Sequence, residues 1–204
     1  MKDRKLDILE ASCRVVARCG VRGLRVEEVA REAGVSVALI YYYFQNREDL
    51  LRRVLEHANA RASAYTQAAA SGRGARAQIA EIVLREIQDD PVVVENVAVW
   101  SEIGASAMFE PALREPLGVS VGLWVASIEQ LIAGAQAEGA VAASVDAAAA
   151  AARLAALIDG LSTRWLTGSL STEAARGLLA GALALELGGE TAPADRGCAP
   201  AAGG

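Results

Sequence analysis

Between residues 26 and 50 the chain reads VEEVAREAGVSVALIYYYFQNREDL, and its punctuation leaves little choice of structure. Val29, Ala30 and Ala33 recur at helical spacing behind Glu27 and Glu28, whose charges favour a helix N-terminus. Gly34 supplies the left-handed residue that ends such a helix. Ser36 is a good N-cap for a second short helix over 37–44, and Asn46 caps the next, with Glu48 and Asp49 in its first turn. Two short helices across so tight a turn have the layout of a helix-turn-helix.

The same periodicity governs the rest of the chain. Leu6, Leu9, Cys13, Val16 and Ala17 form a stripe on a helix over 3–19, and Gly20 stands where a left-handed terminal residue is wanted. Beyond residue 46 the spacing predicts helices over 47–70, 75–89, 92–109, 111–138, 146–166 and 172–187. Ser71-Gly72-Arg73-Gly74 forms the first break, Pro91 and Pro111 stand near helix starts, and Pro116 is placed to kink the helix it enters. Alanine and leucine dominate a composition that is 53% hydrophobic but only 4% aromatic, with five prolines. The fold class is all-α, with a three-helix head over 1–46, a larger helical body over 47–188, and a Gly/Ala/Pro-rich tail over 189–204 expected to be disordered.

Several chemistries are excluded. Cys13, Cys19 and Cys198 have no metal-ligand spacing, and the first two point roughly 120° apart on a helix. His57 is the only histidine, so no Ser/His/Asp, Cys/His or metal constellation assembles, and neither a catalytic residue nor a cofactor is expected. The uncharged, largely apolar run 116–128 is 13 residues, short for a bilayer, and the start MKDRKLD has no apolar signal core. A cytoplasmic protein is expected. The net charge of −5 hides a basic head, 11 Lys/Arg against 8 Asp/Glu in residues 1–53, on an acidic remainder. That asymmetry suits a protein that meets phosphates at one end.

A helix-turn-helix lays its second helix in the DNA major groove, so the expected partner is double-stranded DNA. Ser36, Val37, Ala38 and Leu39 carry small or apolar side chains that let the backbone approach base edges, with contact to thymine methyls and shape as the readout. Tyr41, Tyr42 and Tyr43 point about 100° apart, so they cannot all be buried. An exposed tyrosine hydroxyl can donate to a phosphate, and Arg47 can add a charged contact. Packing of the head is the competing use; Phe44 and one tyrosine are assigned to it.

This arrangement resembles the TetR family of transcriptional regulators over roughly residues 5–55, through Gly34-Val35-Ser36, Tyr41, Tyr43-Phe44, Arg47 and Leu50. The resemblance implies base-reading positions at Val37, Ala38 and Leu39, groove and phosphate positions at Tyr41, Tyr42 and Tyr43, and a phosphate position at Arg47. Two departures stand out. Arg25 replaces the family's capping threonine and can meet a phosphate without capping, while Glu27 occupies a position sometimes used for base contact.

On the last helix Ala174, Gly177, Gly181, Ala184 and Gly188 form a seam of small residues, and Ala151, Leu154, Ile158, Leu161 and Trp165 line a face of the helix before it. Such seams serve either packing within one chain or a dimer; the TetR resemblance favours a homodimer on a palindromic operator. VWSEIGASA and LIDGLSTRW are similar to the BetI-like subgroup, which implies a ligand cavity. Trp100, Glu102, Met108, Phe109, Trp124 and Asp159 are its candidate residues, suited to an organic cation as small-molecule inducer. Core tryptophans and solvated acids are the plainer alternative. The expected function is a ligand-responsive regulator, a repressor released from its operator by an inducer. A regulator controlled by thiol oxidation at Cys13 or Cys19, or by a protein partner, is one alternative; a small helical enzyme is another.

Overall fold

Helix starts in this chain are set by side chains that accept orphan backbone N–H groups. In the computed structural model, which describes residues 3–67 and 74–188, Asp3 caps α1 (Arg4–Gly23) by accepting from Lys5 and Leu6. Ser36 caps α3 (Val37–Tyr43), Asp146 caps α8 (Ala147–Leu166) and Ser171 caps α9 (Thr172–Glu186). Asp90 does the same for α6 (Pro91–Ala107), where proline occupies a position that needs no N–H. Each such cap contributes about 1 kcal/mol. Helix α2 (Val26–Ala33) ends on Gly34 at φ 65°, ψ 40°, the left-handed geometry expected from its sequence. Helix α4 (Arg47–Gln67) is started by Asn46, which accepts from the Asp49 N–H at 2.8 Å.

The fold is all-α, with no strand among the described residues. Helices α1, α2 and α3 form the head, and α4 runs from it into a body completed by α5 (Ala75–Leu84), α6, α7 (Arg114–Ala137), α8 and α9. The expected tail, residues 71–73 of the expected break, and Cys198 lie outside the described residues. Head and body share packing across residue 46. Leu50, Leu51, Val54 and Leu55 of α4, with Val99, Ile103 and Ala107 of α6, close the same core as Ile8, Val15, Val16 and Phe44. Large apolar side chains buried in this way contribute about 1.5–3 kcal/mol each. A second core joins α5, α7, α8 and α9 around Ile79, Ile132, Leu154 and Leu179.

Three local expectations change. The buried face of α1 is Ile8, Ala11, Ser12, Cys13, Val15 and Val16 while Leu6 is exposed, because α1 is covered by both α2 and α6 and not on one stripe. Pro116 does not kink a continuous helix: the break falls earlier, at a 3-10 turn over Pro111–Leu113, and Pro116 lies in the first turn of α7. The segment Pro111–Ala137 is also more apolar than its uncharged run suggested, long enough and at mean hydropathy 1.4 hydrophobic enough to span a bilayer. Here its Ile128, Ile132 and Ala135 are spent in the second core, and Ser120 accepts from Asn59 of α4 at 2.8 Å.

Gly20 interrupts α1 at φ 72°, ψ 171°, a region essentially confined to glycine, and one further turn reaches Gly23. A Cβ there would stand 2.7 Å from a Glu102 carboxylate oxygen. Gly20→Ala is therefore expected to lower stability by about 1–3 kcal/mol in urea unfolding. Gly118→Ala, inside α7 with open space around its Cβ, should be neutral or stabilising by up to about 1 kcal/mol.

Candidate nucleic-acid interface and ligand cavity

Helix α3 hangs on the head by Ile40 and Phe44, both buried, which turns Ala38, Tyr41 and Tyr42 outward. Tyr42 is 79% and Tyr41 53% exposed. Tyr43 is half-buried on the head core and meets Tyr42 edge to face at 5.1 Å, so it is the tyrosine that packs. Val37 and Leu39 are also half-buried, and Val37 packs on the head core, which leaves Ala38 as the most open of the apolar tip. The Ser36 hydroxyl, exposed, accepts the Leu39 N–H at 3.2 Å as a cap. Arg25 is exposed at the start of α2 and makes no side-chain cap. Glu28 and Glu32 are drawn to Arg14, Arg18 and Arg31, while Glu27 is exposed.

Arg47 is not placed for a phosphate. Its guanidinium turns inward, donating to the Val21 carbonyl at 2.6 Å and the Leu24 carbonyl at 3.4 Å, and pairing with Glu110 at 3.1 Å. Two carbonyls at the C-terminal end of α1, that of Val21 already accepting the Leu24 N–H at 3.2 Å, and a carboxylate from the body outcompete solvent for it. Glu102 has moved in the same sense. Expected in a ligand cavity, it instead accepts the Val21 N–H at 3.3 Å and so satisfies the donor that the Gly20 break leaves free. Phe109 is likewise outside the cavity, exposed beneath the Arg22 guanidinium at 5.5 Å.

A cavity of about 790 Å³ lies between α4, α5, α6, α7 and α8. Trp100, Met108, Trp124 and Asp159 line it as expected, joined by Tyr65, Glu86, Asn59 and Ser120. Among the described lining residues the ionisable ones are Tyr65, Glu86 and Asp159, so any formal charge is negative. Tyr65 of α4 donates to Glu86 at 3.1 Å and in turn accepts from Asn96, which is anchored on the Ala58 carbonyl at 3.1 Å. Glu86 is 9% exposed, and its carboxyl is raised to about 7 by burial and by Asp159, against the pull of Tyr65 and Trp124. The nearby cations are engaged elsewhere: Arg85 with Glu81 and the Tyr65 carbonyl, Arg176 of α9 with the Leu84 and Ile87 carbonyls. Burial raises Asp159 as well. Sequence reasoning missed both Glu86, one acid among several in REIQDD, and Tyr65, whose one available signal is that it is the only tyrosine outside the triplet.

The expected dimer seam is half relocated. Ala151, Leu154, Ile158, Leu161 and Trp165 are buried within the chain, and Trp165 donates to Thr172 at 2.9 Å. The most continuous apolar stripe of α8 faces its own core, which leaves smaller residues outside. Ala156, Leu157 and Gly160 of α8 line an open groove with Gly177, Leu178, Gly181 and Leu185 of α9, and Ala174 and Ala184 are exposed on α9. Cys13 is buried and burial pushes its thiol up to about 11, a poor state for a redox sensor; Cys19 is exposed.

Arg47→Ala is expected to lower stability by about 2 kcal/mol, since it strips two carbonyls of a charged donor. The salt dependence of DNA binding should keep its slope, whereas loss of a phosphate contact would reduce it by about 1. Glu86 gives a pH signature. Its folded value of about 7 lies above the ordinary 4.5, so the folded state holds the proton longer, and this contribution is present below 4.5 and lost as pH rises through 7. Urea unfolding should show wild type losing on the order of 3 kcal/mol relative to Glu86→Gln over that window.

Comparison with known proteins gives this geometry a family. Residues 8–54 match the model for bacterial regulatory proteins of the tetR family, and residues 75–188 match the model for the C-terminal region of BetI-type transcriptional repressors. The chain is 32% identical over 179 residues to the HTH-type transcriptional regulator BetI of Pseudomonas paraeruginosa, covering 84% of each. A TetR-family transcriptional regulator from Rhodococcus sp. superposes with a TM-score of 0.87 at 44% identity, covering 92% of this chain and 100% of that one. A transcriptional regulator from Saccharomonospora viridis, solved in complex with choline, superposes at 0.71 with 28% identity, over 86% of this chain and 92% of its own. Helix-turn-helix, shared head–body core and cavity-bearing body thus fall within one pattern: this chain belongs to the TetR family of transcriptional regulators, with a body of the BetI type.

Proposed function

We propose that the protein is a repressor that binds a palindromic operator as a homodimer in the cytoplasm and releases it when an organic cation enters the cavity. The reading assigns DNA contact to the head, 1–46, and ligand and dimer contact to the body, 47–188. What carries it is the coexistence of a tyrosine-tipped helix α3 with a cavity that offers carboxylates and aromatic rings but no cationic lining residue. Ala38 and Leu39 would meet base edges, Tyr41 and Tyr42 phosphates, and Arg25 the backbone beside α2. Choline bound to the Saccharomonospora viridis relative supports a cationic ligand class. Partner contact is assigned to the small-residue groove between α8 and α9, whose Gly160, Gly177 and Gly181 allow close helix approach. The buried, protonated state of Cys13 favours a small-molecule signal over oxidation there.

Helix α6 supplies a route between the sites. Trp100, Ser101, Gly104 and Ala105 line the cavity while Glu102, between them, holds the head at Val21. Past the helix end Met108 lines the cavity and Glu110 holds Arg47. A ligand that favours one position of this segment would bias the head, a population shift carried by packed groups.

Mobility shift with DNA from the protein's own promoter region is the test. Salt-sensitive, site-specific binding is expected, with Tyr42→Ala weakening it about 10-fold, the equivalent of one charged hydrogen bond. Organic cations should release the complex. Binding that is neither site-specific nor altered by Tyr42→Ala would reject the reading.

A further inference from the structure

We infer that the cavity is built for a bulky, largely apolar organic cation of drug-like size, with its charge seated between Glu86 and Asp159. The inference rests on reading the cavity as the effector site and names the chemistry of its ligand.

Volume is the first reason. At about 790 Å³ the cavity lies in the upper part of the range of about 300–1,000 Å³ that encloses drug-sized molecules. A trimethylammonium head on an ethanol arm would leave most of it to water, since each water takes about 30 Å³. Water filling of that kind is poorly matched to walls made by Val97, Trp100, Leu117, Ile128 and Leu131.

Polarity along the cavity gives the orientation. At one end Glu86 is buried, held by the Tyr65 hydroxyl, with Trp124 as a further hydrogen-bond donor and Asp159 close enough to repel it. At the other end Met108 and Leu123 are 64% and 68% exposed, so the rim is apolar and open. A ligand with its cation inward and its hydrocarbon toward the rim satisfies both ends. A buried carboxyl whose ionisation a second carboxylate further disfavours is a site that a cation relieves, and the rings of Trp124 and Trp100 add attraction to a diffuse positive charge. Burial that keeps Glu86 partly protonated at neutral pH agrees with this, because a bound cation takes the place of that proton.

Tetraphenylphosphonium and tetraphenylborate share size and shape and differ in the sign of their charge, and choline supplies the small cation. Calorimetric titration of each into the full-length protein should show tetraphenylphosphonium binding at least 10-fold more tightly than choline and than tetraphenylborate. Glu86→Gln, which keeps the shape and a hydrogen-bonding oxygen, should weaken it about 10-fold, and Asp159→Asn, at the more open wall, should weaken it several-fold. These results support the proposal even if tetraphenylphosphonium leaves the operator complex intact, which would count against the effector reading alone. Tighter binding of choline, equal binding of the anion, or indifference of tetraphenylphosphonium to both substitutions would overturn it.

Discussion

The backbone of Val21 is where head and body become one object. Gly20 leaves the helical path, and the break frees an N–H that α1 would otherwise pair, while the Val21 carbonyl, in the last turn of α1, accepts the Leu24 N–H and has room for a second donor. The chain answers with side chains from far away: Glu102 accepts the N–H, Arg47 donates to the carbonyl, and Glu110 neutralises Arg47. Left unpaired, the buried N–H would cost about 1–3 kcal/mol, and a half-buried Arg47 or Glu110 without its partner would add to that, so the contacts are hard to give up one at a time. The orientation of α1 and α2, and hence of α3, is tied through them to the end of α6.

That tie explains why the cavity's position matters. Helix α6 presents alternate residues to two tasks, because consecutive side chains on a helix point about 100° apart. Trp100 and Gly104 face the cavity; Glu102 faces the head; Ile103 fills the core between. No long pathway has to be invoked between ligand and DNA-binding unit. The two share one helix, and a shift of that helix alters both.

Sequence carried the helix-turn-helix well because its determinants are local. Gly34, Ser36 and Asn46 act through hydrogen bonds to residues within five positions, and each is found in the expected role. The body was harder. An arginine at the start of a helix reads as a surface cation, and nothing near Arg47 in the chain announces that Val21, Leu24 and Glu110 will hold it inward. Helix α8 offers an apolar stripe and a small-residue stripe; pattern alone does not say which one its own core takes. Burial of Leu154, Ile158 and Trp165 decides it, and leaves Ala156 and Gly160 outside.

Three acids of the body, Glu102, Glu86 and Asp159, differ in what their surroundings ask of them. Glu102 has a donor that needs it and is part of the architecture. Glu86 has Tyr65 as donor, yet its carboxyl stays raised because burial outweighs that bond, and Asp159 nearby makes ionisation harder still. A glutamine would meet Tyr65 as well without the charge, and an apolar residue would suit the neighbouring walls. On stability alone Glu86 is therefore a poor choice for its position. Its cost is that of a charge kept in an apolar cavity until a complementary charge arrives, as binding sites set apart from the core commonly bear.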